Sequence, residues 1–359
     1  MSSPHIVIIG SGLTALTLAR TLLLPPFPQA LTLSLIDKAK APGGRLTTRY
    51  YDSGTYLEPG ARVFESPSGN AEFERAVERW ESKGWVKEVE KEKIVGCGTG
   101  RHWEGVGGWT KGLIEGMVEE VRQVGKDRVQ FYFGNTAINP SPVSLTSNPI
   151  SLTLTPALSN LSPISFLIHT APTSQTSVIL PSTSLPTIYA RTFSLLLPTI
   201  SLLTLPSYHR HPHPDLTSIS TGYSSTGEIT GICIQSTPER LGLTYDSTDG
   251  EIRRAIFEIL RSTTPALLPA DLVSHAERLV GRESQVKRWK FAQVEKALGD
   301  RGIKVDCEKV LLLEGGKVLV AGDGTSGGVG GVEGAWSASA AASLMVKKWL
   351  DGKQTKGNL

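Results

Sequence analysis

The stretch Ile6-Val7-Ile8-Ile9-Gly10-Ser11-Gly12-Leu13-Thr14-Ala15 decides the fold. Four consecutive apolar residues read as a strand buried on both faces of a parallel sheet. Gly10 permits a sharp turn, Gly12 lets a pyrophosphate approach the backbone, and the small Ala15 lets the next helix pack closely on the strand. The helix opened by Leu13 and Thr14 keeps its periodicity to Leu24 and stops at Pro25-Pro26. Leu31 to Ile36 is the next strand, which completes a βαβ unit. The helix N-terminus offers free N–H groups and a partial positive charge to a phosphate. Asp37 follows the second strand, 25 residues past Gly12, where a carboxylate accepts hydrogen bonds from ribose hydroxyls and repels a 2′-phosphate.

Outward from this unit, Ala71 to Ser82 sets Phe73, Val77 and Trp80 at helical spacing against an acidic face. Thr110 to Val124 reads as a second amphipathic helix with Thr110 as its N-cap. Between Arg128 and Arg210 the only Asp, Glu, Lys or Arg is Arg191. That Ser-, Thr-, Pro-, Leu- and Ile-dense stretch suits short strands and tight turns. Arg191 is therefore expected either to pair with a carboxylate in the core or to reach a substrate phosphate or carboxylate. Helical patterning returns at Glu251 to Arg261 and around Asp271 to Val280. A strand at Lys317 to Ala321 then leads through a glycine-rich loop into a small-residue helix from Glu333 to Leu350, and the polar tail from Lys353 is expected to fray.

The chain of 359 residues exceeds the size at which one core stops growing, about 300 residues, so two domains are expected. With 39% hydrophobic and 20% charged residues, wholesale disorder is excluded. A net charge of +3 is too small for a nucleic-acid binder. Cys97, Cys233 and Cys307 stand far apart with no metal spacing. His209, His211 and His213 alternate with Arg210, Pro212 and Pro214, but no carboxylate or cysteine completes a set, so no metal is expected. No segment reaches the roughly 18 to 20 uninterrupted apolar residues of a membrane span. The first strand begins almost at once, so no signal peptide and a cytoplasmic location are expected.

The first glycine pattern is common to NAD and FAD sites. Past Asp37, Gly43-Gly44-Arg45-Leu46-Thr47-Thr48-Arg49 sets a glycine pair and an arginine near the path of a pyrophosphate. This resembles the G-G-R element of the FAD-dependent amine oxidase superfamily, and its full form is similar to renalase-type flavoproteins. Further landmarks follow in the order that family implies: Gly60-Ala61-Arg62-Val63-Phe64, Arg101 to Trp109, Ile168 to Gln175, Lys287 to Ala292, Leu319 to Asp323, and Val332 to Ser337. The resemblance covers residues 6 to about 342. Three departures bear on the substrate: Pro59 stands where histidine is common, Gly107-Gly108-Trp109 replaces Pro-Gly-Met, and Ser339 follows Ala338 where a Ser-Gly pair is usual.

The expected architecture is α/β: a Rossmann-type, doubly wound FAD-binding domain from residues 1–70, 96–180 and 300–359, and a mainly antiparallel β substrate domain with helices from 71–95 and 181–299. The expected cofactor set is Gly10, Gly12, Leu13, Thr14, Ala15, Asp37, Lys38, Gly44, Arg45, Gly60, Ala61, Arg62, Ala137, Ile138, Ala171, Gly322, Asp323, Val332, Gly334 and Ala335. Asp323 would hold ribityl or ribose hydroxyls, and the helix from Gly334 would stabilise charge on a reduced flavin. Catalytic residues are not identified, and the substrate-pocket candidates are Arg191, Tyr189, Trp109 and Trp289. The FAD is expected to be non-covalent, because no cysteine or histidine stands in the C-terminal motif. The resemblance implies an oxidase that takes hydride from a dihydronicotinamide dinucleotide isomer and passes electrons to O2, giving hydrogen peroxide. Such a donor needs positioning more than a strong base. The rivals are a flavin oxidase of amines or another small secondary metabolite, a non-catalytic flavin-binding interaction protein, and an NAD-dependent dehydrogenase, which Gly44-Arg45 and Asp323 contradict.

Overall fold

A computed structural model describes residues 3–66, 69–108, 110–138, 150, 152–158, 161, 163–176, 185, 187–198, 205–263, 268, 270–279, 284–296, 309–313, 316–326 and 331–356. In chain order its strands are β1 (His5–Ile9), β2 (Thr32–Asp37), β3 (Arg49–Tyr50), β4 (Thr55–Leu57), β5 (Phe64–Ser66), β6 (Val86–Glu88), β7 (Ile94–Val95), β8 (Arg101–Gly105), β9 (Val129–Phe133), β10 (Thr136–Ile138) and β11 (Thr153–Thr155). They continue as β12 (Phe166–His169), β13 (Ile188–Pro198), β14 (Tyr208–His213), β15 (Leu216–Ser224), β16 (Ile229–Ser236), β17 (Gln285–Lys296), β18 (Val310–Leu312) and β19 (Val318–Ala321). The α-helices among the described residues are α1 (Leu13–Leu22), α2 (Ala71–Ser82), α3 (Lys111–Gly125), α4 (Asp249–Thr263), α5 (Ala270–Arg278) and α6 (Gly331–Lys356). The chain folds as two compact units, one from residues 1–44, 114–188 and 294–359, the other from 45–113 and 189–293.

The first unit is built on a six-stranded sheet in the order β18-β19-β12-β1-β2-β9. Every neighbouring pair in it is parallel except β18 with β19. The apolar run Ile6 to Ile8 is fully buried, which is why β1 sits inside the sheet with β12 on one side and β2 on the other. Helices α1 and α6 pack on each other, and buried Ala338, Ala341 and Ala342 keep the approach close. Helix α6 runs on to Lys356, so the expected frayed tail from Lys353 is corrected as far as that residue. A Lys347–Asp351 ion pair at 2.8 Å, one turn apart, supports the added length. The Ser- and Thr-rich stretch contributes strands β9 to β13 and a short 3-10 turn at Thr173–Gln175 among its described residues, in keeping with its β-branched content.

The second unit carries an eight-stranded sheet with the path β17-β13-β16-β15-β14-β7, joined through β15 by β4 and β3. Alternation sorts its two faces. Phe193, Leu195 and Leu197 of β13 and Ile232 and Ile234 of β16 point to the side covered by α4 and α5, where Ile252, Ile256, Leu260 and Leu272 complete the core. Leu196 and Cys233 point the other way and meet Tyr51 and Leu57. A smaller sheet, β5-β8-β6, belongs to the same unit as α2, whose Trp80 lies edge-on to Phe64 and Phe73. Arg191 is exposed, with its guanidinium 5.3 Å from the Tyr245 ring centre, so the expected core pairing does not form.

Candidate functional site

The carboxyl ends of three neighbouring parallel strands meet at one point of the first unit. Gly10 follows β1, Thr170 follows β12 and Gly322 follows β19. Gly10 has φ +110°, and a Cβ there would stand 2.6 Å from Thr170 Oγ1, so both backbone conformation and space demand glycine. Thr170 Oγ1 donates to Ile9 O at 2.9 Å, and a Cβ on Gly322 would be 3.7 Å from Thr170 O. Ligands of open parallel sheets bind at such carboxyl edges.

The two glycine turns touch through backbone alone. Gly43 N donates to Ser11 O at 3.0 Å. A Cβ on Gly12 would find only Gly43 O, at 3.8 Å, and one on Gly44, whose φ is +59°, only Gly12 Cα, at 3.7 Å. The space a side chain would fill is left open in front of α1. That helix has Gly12 as its N-cap and no acidic residue in its first turn. The N–H groups of Leu13, Thr14 and Ala15 therefore face outward with no acceptor inside the helix. This open cradle fits the pyrophosphate that the glycine pattern implies.

Asp37 closes one side. Its Oδ2 accepts from Ser11 N at 2.8 Å and Ser11 Oγ at 2.6 Å, and its Oδ1 accepts from Ala39 N at 2.8 Å, which leaves a lone pair on Oδ1 for a ribose hydroxyl. Exposed Lys38 donates to Gln175 Oε1 at 3.3 Å. Ala137 lies in a core cluster with Ile9 and Ile36, while the Ile138 side chain lies outside the described residues. Burial pulls the His169 imidazole down to about 4, so this histidine brings no positive charge to the strand ends.

At β19, Asp323 is buried in a tight turn. Thr325 Oγ1 donates to Lys309 O at 2.6 Å, and Ser326 Oγ donates to Gly334 O at 2.9 Å, tying the turn to the first turn of α6. Val332, Gly334 and Ala335 are buried in that same helical turn. The structure thus brings together Gly10, Gly12, Gly44, Asp37, Gly322 and Asp323 in one unit. Ala171 is half-buried beside Thr170.

The remaining expected site residues belong to the second unit. Arg45 Nη1 donates to Ala292 O at 3.1 Å. A Cβ on Gly60 would stand 1.9 Å from Arg45 O, the atom to which Ala61 N donates at 3.0 Å. Arg62 and Glu104, both almost fully buried, pair at 2.7 Å, with Tyr223 under the guanidinium at 5.2 Å. Tyr189 lies edge-on to Phe291 at 5.6 Å, and Trp289 carries the Lys287 ammonium 5.4 Å above its ring. Trp109 and Cys307 lie outside the described residues.

One buried group was missed by the sequence reading. Glu58 accepts from Thr48 Oγ1, Thr110 N and Thr110 Oγ1, the last two at 2.9 and 2.7 Å. Burial pushes its carboxyl up to about 7 against these bonds and the attraction of Arg62. Thr110 stands directly before α3, at the position expected of its N-cap, and its hydroxyl and N–H both donate to Glu58. The next residue carbonyl, Pro59 O, accepts from Ser194 Oγ and Gln235 Nε2 at 2.9 and 2.8 Å, so residues 58–62 are clamped on several sides. Among the described residues no group of three His, Cys, Asp or Glu gathers as a metal site, and no helix is long and apolar enough to cross a membrane.

Residues 8–80 match the family of NAD(P)-binding Rossmann-like domains. The chain thus contains a Rossmann-like domain. Its whole fold is similar to that of a protein of Exiguobacterium sp. 255-15 provisionally called a protoporphyrinogen oxidase, with a TM-score of 0.61 and 13% identity over 97% of this chain and 100% of that one. A Pyrococcus furiosus protein gives 0.59 and 10% over 96% and 97%, and an oxidoreductase of Methanosarcina mazei gives 0.55 and 11% over 94% and 99%. No curated protein matches the sequence.

Proposed function

We propose that the chain is an FAD-dependent oxidoreductase. The reading rests on the meeting of the strand ends Gly10, Thr170 and Gly322, with the glycine cradle on one side and buried Asp323 on the other. A single pyrophosphate site explains the cradle, whereas a second polar point beyond it suits a longer dinucleotide. The G-G-R and A-G-D resemblances and the oxidoreductase name of one fold relative support the same choice. When bound, non-covalently, the flavin supplies hydride acceptance and return of electrons to O2. The chain's residues would hold its pyrophosphate at α1, a ribose at Asp37 and further hydroxyls at Asp323. The donor is a dihydronicotinamide dinucleotide, on the strength of the renalase-type motifs.

Absorption spectroscopy of purified protein tests the cofactor. A yellow protein that releases intact FAD on acid treatment is expected, and a colourless protein that takes up NAD but not FAD would end the reading. Anaerobic mixing with isomers of reduced NAD(P) tests the donor. Prompt bleaching of the flavin is expected, with peroxide formed on readmitting air. Bleaching by amines alone would move the protein to the amine oxidases, and no bleaching by any donor would make it a flavin-binding interaction protein.

A further inference from the structure

The residue between the two glycines of the first turn is a junction. Ser11 is fully buried, and each of its polar groups is used: its N–H and its hydroxyl both donate to Asp37 Oδ2, at 2.8 and 2.6 Å, and its carbonyl accepts from Gly43 N at 3.0 Å. One side chain and one peptide group thus tie the turn after β1 to the end of β2 and to the second glycine turn, all within the first unit.

The main chain of Asp37 is fixed independently of Ser11. It stands opposite Phe133 in the β2–β9 register, and Asn135 N donates to Asp37 O at 3.0 Å. The half-buried side chain has no such ladder. Lys38 turns to Gln175, and among the described residues no cation pairs with the Asp37 carboxylate. Its direction is therefore set by hydrogen-bond donors alone: Ala39 N on Oδ1, and the Ser11 N–H and hydroxyl on Oδ2. The two donors on Oδ2 take up both of its lone pairs, so Oδ1 is the oxygen with capacity left. The Ser11 hydroxyl makes the shortest of these bonds, and bonds to an ionised acceptor are the strong kind. Without that hydroxyl each oxygen keeps one backbone N–H, the two become equivalent, and no single acceptor is presented.

We propose that Ser11 is a positioning residue: its hydroxyl holds Oδ2 of Asp37 inward, so that Oδ1 is offered to a single hydroxyl of the dinucleotide ribose. This rests on the FAD reading above. The test is a double-mutant cycle on full-length protein freed of flavin by dialysis and titrated with FAD, with quenching of flavin fluorescence as the signal. Ser11→Ala should bind FAD about three- to tenfold more weakly, since binding must then order a carboxylate that the hydroxyl no longer holds. Asp37→Ala and the double variant should bind FAD alike, because without the carboxylate the hydroxyl has nothing to orient. A structural role for Ser11 that does not pass through Asp37 would weaken binding by the same factor in both backgrounds, and that result overturns the proposal. If Ser11→Ala alone does not fold, the comparison of Asp37→Ala with the double variant still decides: equal affinities support the proposal, and a weaker double variant overturns it. Unchanged affinity in Ser11→Ala, with FAD bound by the wild type, overturns the role of Ser11 and keeps the cofactor. No FAD binding by the wild type overturns the cofactor reading and this role with it.

Discussion

Replacing Glu58 by glutamine should change the pH dependence of stability more than stability itself. The carboxyl is enclosed by Thr48, Thr110, Arg62 and the Cys233 thiol, and burial dominates, moving it from an ordinary 4.5 to about 7. In the folded chain the proton stays on between these values, while in the unfolded chain it leaves. Glu58 therefore contributes a stability that is fully present below pH 4.5 and is lost as pH rises to about 7. At about 1.4 kcal/mol per pH unit, that gap amounts to about 3 kcal/mol. Glutamine keeps the shape, accepts from Thr110 N through its carbonyl and donates to Thr110 Oγ1 through its amide, and it does not titrate. Urea denaturation of wild type and Glu58→Gln at several pH values from 5 to 8 is the assay. The difference between the two should move by about 2 to 3 kcal/mol in favour of the variant as pH rises across this range. A difference that is the same at pH 5 and pH 8 would refute the reasoning and leave Glu58 an ordinary ionised carboxylate.

Asp37→Ala removes the acceptor of Ser11 N, Ser11 Oγ and Ala39 N, and should lower FAD affinity roughly ten- to hundredfold while sparing the hydride-transfer rate at saturation; stopped-flow reduction of loaded variant checks it, and a hundredfold slower step would put Asp37 at the reacting end. Gly60→Ala forces a methyl group onto Arg45 O, so a loss of about 3 kcal/mol or no folded protein is expected; an unchanged melting temperature would show that the clamp yields. Arg62→Met leaves buried Glu104 with the more exposed Lys87, 3.1 Å away, as its remaining cation and should cost less than the about 3 to 5 kcal/mol of a fully stranded charge, whereas Arg62→Met with Glu104→Gln should recover at least half; simple addition of the two losses in denaturation experiments counts against a coupled pair.

The parts of the fold written in local pattern were legible in the sequence. The run Ile6 to Ile9, the glycine turn and the Phe73, Val77, Trp80 stripe each report their own burial, because period and capping are set within a few residues. The clamp around Glu58 is not local: its partners Thr48 and Thr110 stand 10 and 52 residues away. From the sequence, Thr110 before an amphipathic run reads as an N-cap, and its bonds to a carboxylate 52 residues away are visible only in the fold. A carboxylate directly after the strand Thr55-Tyr56-Leu57 and before Pro59-Gly60 was the available signal. Arg191 misled for a related reason. An apolar neighbourhood marks a strand as buried in general, but this residue stands where the strand emerges, and the aromatic ring of Tyr245 suffices to hold it.

The order of strands in the first unit also sets a timetable for synthesis. β1 emerges early, yet its neighbour β12 comes some 160 residues later, and β19, beyond β12, comes about 300 residues after β1. At about 5 to 20 residues per second, the sheet waits on the order of 15 to 60 s on the ribosome for its last parallel member. α6, which covers α1, is later still. Both neighbours of β1 are made by residue 169, whereas the far edge of β12, Phe166 to His169, waits for β19 while the second unit, whose two segments end at residue 293, can already be complete. The backbone of Phe166 to His169 is therefore the sheet edge left open to wrong pairing for longest during synthesis.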